Sequence, residues 1–309
     1  MCFSPEGVRS PFCDMSYSGL LDAMRNGTVL ESRALSFDAQ RRLHFRLGSF
    51  PAVMPHEECA DGVADGKVRD IALVTRVGRP VCFVITHVEI EHGSPLFYLS
   101  RAAVQRRCRE EYLDRLVPGD ILPCRITRAE PFGAFCDVGC GISALIPVDC
   151  LSVSRISSAH DRVRAGDDVY CAVKGRDAQG RLVLTMKELL GSWSENAARF
   201  AAGETVVGIV RSSEPYGVFI ELAPNLSGLA EASDELLPGM LVSVFIKSIL
   251  PEKMKIKLAV LSVSDDGDFR FPLRFSLTQG HLSRWRYSPE ESVRNIETVF
   301  DGGSCFAVE

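Results

Sequence analysis

The sequence has little of what most function classes require. No apolar run approaches the roughly 18 residues needed to cross a membrane, and MCFSPEGVRS at residues 1–10 lacks the charged region and apolar core of a secretion signal. The expectation is a cytoplasmic protein without membrane contact. Despite 11 cysteines, no CxxC pair occurs. His56, Glu57, Glu58 and Cys59 come nearest to a ligand cluster and have no second pair, so no metal is expected. Cys82, Cys124, Cys136 and Cys171 stand singly in apolar runs, as buried thiols of a reducing compartment do. There is no phosphate-cradling glycine loop and no Ser/His/Asp order. None of the six histidines has a sequence reason to activate a cysteine. Neither catalytic residues nor a cofactor are expected. Nor is there an excess of positive charge: 35 Lys and Arg against 40 Asp and Glu leave a net −5. That balance argues against coating duplex DNA by phosphate neutralisation. It leaves single-strand binding open, because stacking on rings carries much of that energy and needs few cations.

What is present is a repeat. AEPFGAFCDVG (129–139) sets Phe132 and Phe135 around Gly133, and SEPYGVFIELA (213–223) sets Tyr216 and Phe219 around Gly217. In a strand, Ala134, Cys136 and Val138 share one face while Phe135 and Asp137 share the other. Val218, Ile220 and Leu222 repeat the apolar face, with Phe219 and Glu221 opposite. The small apolar residues read as the buried side, which leaves each second ring beside a carboxylate on the wet side. Phe132 has the opposite parity and joins Phe135 only through a kink, which Gly133 permits. Flanking segments repeat at the same offset of about 84 residues. RAGDDVYCAVKG (164–175) then aligns with LPGMLVSVFIKS (237–248) at about 73, so the second copy has a loop shorter by roughly eleven residues.

Short apolar runs bounded by Gly, Pro and Asp dominate the rest. The clearest copy reads as five strands, ILPCRITRAE, GAFCDVG, SALIPV, DDVYCAVKGRD and RLVLTMKE. Five short strands in about 70 residues are too few for a sandwich and fit a small closed barrel. RAAVQRRCREEYLDRL (101–116) is the convincing helix, a basic one that reads as a solvated linker. GSWSENAARF (191–200) reads as a second linker. Before residue 100 the strand rhythm persists without the rings. Aligning Pro55 on Pro147 puts Gln40 and Leu43 where Phe132 and Phe135 stand, and predicts a third, degenerate barrel.

FGAF, a following G-x-x-x-L-I-P, and GDDVYCAVKGRDAQGRLVLTMK together resemble the S1 RNA-binding domain, the repeat that builds bacterial ribosomal protein S1. The resemblance is good over 117–190, fair over 201–263 and weak over 17–100. It implies an all-β protein of tandem five-stranded OB-fold barrels joined by short helical linkers, with 264–309 as a C-terminal extension. It implies an RNA-binding face with Phe132, Phe135, Asp177 and Arg181 in the middle domain, and Tyr216, Phe219 and Lys255 in the last. Lys187, near Arg176 and Lys174, extends the basic track. Three positions depart from the family pattern: Pro147 and Glu231 stand where a His is common, and Pro251 replaces the Asp. The ringless 17–100 segment, with Leu96 at the basic position, is expected to dock on the small ribosomal subunit. Arg76 and Arg79 beside Gly78 belong either to that contact or to a plain surface turn. Trp285 and Tyr287, among Arg284 and Arg286, fit a further RNA contact or, as preferred, packing of the tail on the last barrel. The implied function is non-enzymatic binding of single-stranded RNA, holding mRNA at the small subunit. The alternative is a protein-docking module or an accessory factor of RNA decay or transcription that binds RNA weakly.

Overall fold

The computed structural model describes residues 3–8, 14–91, 93–264 and 269–300. Cys2, Cys13 and Cys305 lie outside them. The chain divides into two compact units, Met1–Leu116 with Asp137–Ser143, and Val117–Cys136 with Ala144–Glu309.

In the first unit, helix α1 (Tyr17–Arg25) precedes β1 (Leu30–Arg33), β2 (Ser36–Phe37), β3 (Leu43–Leu47) and β4 (Phe50–Met54). The short helix α2 (Asp70–Val74) and the long hairpin β5 (Pro80–Glu91) and β6 (Ser94–Ser100) follow. They form one six-stranded sheet in the order β1-β5-β6-β4-β3-β2. The two ends of that order are consecutive in the chain: β1 pairs with β5, β2 pairs with β3, and only Ala34 and Leu35 separate them. A single broken first strand thus curls the sheet round to its own start, where the sequence predicts a degenerate barrel. Phe83, Phe97, Leu43, Leu47 and Leu99 fill the interior.

Helix α3 (Arg101–Glu111) is not the solvated rod its arginines suggest. Ser100 caps it, accepting from Ala103 N, and Val104, Gln105 and Cys108 are buried with Arg101. The Arg101 guanidinium grips Glu6 through Nε at 2.7 Å and Nη2 at 3.1 Å. Arg76 reaches the same carboxylate at 3.2 Å. That tie holds Arg76 half-buried against Glu6, while Arg79 stays exposed.

The second unit holds two closed barrels. The middle barrel comprises β7 (Ile121–Glu130), β8 (Gly133–Asp137), β9 (Ser143–Pro147), β10 (Asp168–Arg176) and β11 (Leu182–Thr185). After helix α4 (Trp193–Ala197), the last barrel comprises β12 (Thr205–Glu214), β13 (Gly217–Ala223), β14 (Leu226–Ala230), β15 (Leu241–Leu250) and β16 (Lys255–Ser264). Closure follows from one long first strand serving two neighbours. Thr205–Ile209 pairs with β15 while Ile209–Glu214 pairs with β13, and a register shift between Val210 and Ser212 supplies the bend. The loop after β9 runs through residues 148–167, against 231–240 after β14, which locates the shortened loop.

A polar seam joins these two barrels. Glu221 on β13 is fully buried between Arg162, at 2.5 Å, and Arg211, at 2.6 Å. Arg211 also pairs with Asp161 at 3.2 Å. Arg162 donates to Ser152 Oγ at 2.9 Å, and Asn225 Oδ1 accepts from Val153 N at 2.9 Å. The tail adds β17 (Arg284–Arg286) and β18 (Glu297–Val299), paired antiparallel. Trp285 and Tyr287 sit in the core of the last barrel, with the Tyr287 hydroxyl donating to Asn225 O at 2.5 Å. They are packing residues, the preferred of the two readings. Removing Glu221 strands the buried Arg162 guanidinium and leaves Arg211 with Asp161 alone. Glu221→Ala is expected to cost about 3–5 kcal/mol, read as an earlier denaturant transition of the full chain. Arg25→Ala, which breaks the exposed Arg25–Asp22 pair, should change stability by under about 0.5 kcal/mol.

Candidate nucleic-acid interface

The two ring pairs arise from one backbone device used twice. Gly133 and Gly217 open β8 and β13 at φ 159° and 151°. A Cβ would lie 2.4 Å from Ile146 O at the first and 2.5 Å from Ala230 O at the second. Glycine lets β13 press against β14 while the residue before it swings outward. The ring before the glycine and the ring two after it then meet on one surface. Phe132 and Phe135 meet edge to face at 6.0 Å and 84°, Tyr216 and Phe219 at 6.1 Å and 85°. Phe132 is 57% and Tyr216 68% exposed; Phe135 and Phe219 are half-buried. Edge-to-face pairs hold each other's orientation, which leaves a rigid apolar step facing solvent.

The carboxylates that share a strand face with the inner rings are not on the wet side. Asp137 and Glu221 are 4% and 0% exposed. Asp137 accepts backbone hydrogen bonds from Glu6, Gly139 and Gly141 at 2.7, 2.8 and 3.0 Å. Burial, together with the charge of Glu6, lifts its carboxyl to about 6 against those donors. The outer face of a barrel strand is covered here by other segments, so strand alternation alone misplaces both acids.

The basic residues are positioned in different ways. Arg181 lies at the tip of the β10–β11 hairpin, its Nε donating to Asp177 at 2.7 Å while most of its side chain stays exposed. Asp177 also accepts from the backbone of Gln179 and Arg181, each at 2.9 Å. These bonds hold its carboxyl below the usual range against the opposing effect of burial. The acid orients the base and closes the turn, so Asp177 is a positioning group. Lys187 lies in the 3₁₀ turn after β11 and donates to Asp149 O at 3.0 Å. Lys255 opens β16 after Met254, which holds φ 47° following the Pro251–Lys253 turn. Glu231 is neutralised by Lys247 at 2.9 Å, and that hydrogen bond holds its carboxyl below the usual range.

Two further cations border the rings. The Arg128 guanidinium carbon stands 4.9 Å from the centre of the Phe135 ring, a cation–π contact. Lys257 is exposed and shares a row with Phe219, since Leu229 pairs with both. Only barrel register reveals Lys257; Arg128 lies seven residues from its ring with no local signal.

In the first unit the ring positions fall one residue away from the sequence alignment. Leu43 pairs with Met54 in β3–β4, as Val218 pairs with Ala230 in β13–β14, and Leu43 is buried core. With Pro55 and Pro147 both preceding 3₁₀ turns, Arg41 and His44 occupy the outward sites. His44 pairs with Asp38 at 2.7 Å and Arg41 with Asp70. A different ring pair lies on the β5–β6 hairpin: His87 and Tyr98 stack at 4.3 Å and 11°. The Tyr98 hydroxyl donates to Glu89 and Glu91 at 3.2 and 3.4 Å.

The cluster at residues 56–59 disperses. His56 bonds Asp70 at 2.9 Å, and Cys59 turns into the core, where burial pushes its thiol up to about 12. Among the described residues no group of three or more His, Cys, Asp or Glu is placed to hold a metal ion. No helix among them is long and apolar enough to cross a membrane.

The chain is an all-β protein of tandem OB-fold-like barrels, and the family profile described as S1 RNA binding domain matches its residues 116–187. It is similar in sequence to proteins named small ribosomal subunit protein bS1. The bS1 homolog of Bacillus subtilis is 25% identical over 265 residues, 84% of this chain and 64% of that protein. The bS1 of Staphylococcus saprophyticus is 30% identical over 189 residues, 56% of this chain and 48% of that one. The chain therefore spans less than two thirds of either relative. Among solved structures, a multidomain protein with nucleic acid binding domains from Streptococcus pneumoniae covers 76% of this chain and 74% of its own. Its TM-score is 0.25 at 13% identity, too distant a superposition to inform the fold.

Gly217→Ala brings a methyl group against Ala230 O and asks for a φ that L residues avoid. The expected outcome is a loss of about 1–3 kcal/mol in urea unfolding, with the Tyr216–Phe219 pair displaced.

Proposed function

We propose that the protein binds single-stranded RNA without catalysing a reaction, and holds mRNA at the small ribosomal subunit through its middle and last barrels. The observation that carries this reading is the recurrence of one ring geometry on two barrels, with an outer ring exposed both times, Arg128 over Phe135 and Lys257 in the row of Phe219. Apolar rings held open to water lose free energy unless something covers them, and a nucleobase is the flat partner that suits them. Every base has such a face, so the expected readout is sequence-tolerant and confined to unpaired strands. Two tethered faces raise apparent affinity over either alone through effective concentration. The S1 match over the middle barrel and the bS1 relatives support the same reading.

The test is fluorescence anisotropy with a labelled single-stranded RNA. Base stacking on one ring is worth about 1–3 kcal/mol by alanine substitution. Phe135→Ala and Phe219→Ala should each weaken binding by about fivefold to a hundredfold, and the pair by more. Unchanged affinity in the double variant refutes the site.

The first unit supports a second role, docking on a protein surface. Its ring positions are taken by Arg41 and His44, each already tied to a carboxylate. Its stacked ring pair, exposed His87 and half-buried Tyr98, is flanked by Glu89 and Glu91, which repel phosphate. If this role is correct, the chain co-sediments with ribosomal small subunits after nuclease treatment and after loss of both barrel ring pairs. Release of the chain by nuclease alone counts against it.

A further inference from the structure

The Tyr216–Phe219 step does not end on an open surface. It forms one wall of a cavity of about 310 Å³, whose other walls include Val153, Arg155, Arg211 and Arg294. A second cavity of about 490 Å³ adjoins it and runs between the 148–156 segment and the tail. The two share Val153, Arg155, Arg294 and Ile296, so they adjoin as one groove with the two arginines at their junction. Both volumes fall in the range of ligand sites, about 300–1,000 Å³. The groove is built by the loop after β9, the turn at Lys187, helix α4, the last barrel, and the tail from β17 to β18.

The charge along the groove favours an anion. Arg155 is 78% exposed at its side chain and, among the described residues, pairs with Glu214 alone, at 3.3 Å. Arg294 is exposed, and no carboxylate among the described residues lies within ion-pair distance of it. Lys187 lines the far end. The two acids in the walls already have cations: Glu297 pairs with Arg284 at 2.6 Å and Asp149 with Lys174 at 3.8 Å. A positive groove continuous with an aromatic step is the arrangement that tracks a single strand, rings for bases and guanidinium groups for phosphates.

Building on the RNA-binding reading above, we infer that the groove is a second nucleic-acid subsite. The strand leaving Tyr216 and Phe219 enters it, and Arg155 and Arg294 hold its phosphates. The tail is then part of the binding surface as well as a clasp. Docking of an acidic protein segment is the competing occupant. The rings at the groove mouth favour RNA, because a base uses them and a carboxylate does not.

The test uses the full chain and two uridine oligomers, of about four and about ten nucleotides, the shorter matching the low end of a single barrel's site size. Arg155→Gln with Arg294→Gln should weaken the longer oligomer about five- to twentyfold and leave the shorter within about twofold. The slope of log affinity against log salt should flatten by about 0.7 for each phosphate that the protein no longer neutralises. Arg155→Lys with Arg294→Lys should restore most of that slope, and all variants should keep the parent's thermal transition. A photo-crosslinking amino acid at Val293, 98% exposed beside Arg294, should label the longer oligomer and not the shorter. Isotherms and slopes unchanged at both lengths overturn the groove and leave the ring face standing. Equal weakening at both lengths also overturns it, since that is diffuse electrostatics. If Tyr216→Ala with Phe219→Ala leaves the shorter oligomer's affinity unchanged, the ring reading fails together with this one.

Discussion

Glu221 sits out of contact with water between two guanidinium groups, and the second unit is organised around that arrangement. A carboxylate so placed is tolerable only while both cations hold it, although Arg162 Nε is itself buried without a hydrogen-bond partner. Arg162 arrives from the loop of the middle barrel and Arg211 from the neighbouring strand, while Asp161 balances the second charge. The cluster therefore makes the position of one barrel against the other a condition of burial. Asn225 reinforces it by accepting from the loop and from Tyr287 of the tail.

This constraint bears directly on the surface that carries the rings. Phe219 and Glu221 project from the same face of β13, two residues apart. Anchoring the acid beneath the loop fixes that edge of the strand, and the ring beside it stays at the border between buried and open. Tyr216, swung out by Gly217, completes the step. The exposed rings thus stand on a rigid base, which lowers the entropic cost of ordering a ligand against them. The 148–156 loop and the tail border the same step, since Arg155 and Arg294 line the cavity that Tyr216 and Phe219 also wall.

The first unit shows what happens to this scaffold without the rings. Its sheet keeps the strand order and the parallel β4–β6 pair, yet its first strand breaks at Ala34 and Leu35. Its outward sites carry Arg41 and His44, closed off by Asp70 and Asp38. The same curled sheet is thus maintained by its interior, Phe83, Phe97 and the leucines around them, while its exterior has changed charge and shape.

Much of this was legible without coordinates. The repeat, the ring–Gly–ring spacing, the five strands of each clear copy and the shortened loop all lie in short-range patterns. Alternation, breakers and turn residues act over a few positions, and they read correctly. The degenerate copy failed by one residue, because with no rings to anchor the alignment a slip reverses every side chain, and Leu43 proved to be core. What only tertiary structure decided are the contacts made across long stretches of chain. Strand alternation says which side of a barrel a residue faces, but not whether another segment covers that side. Asp137 and Glu221 are buried for that reason, and Arg128, Lys257 and Arg294 reach the rings through register and packing that no local pattern encodes.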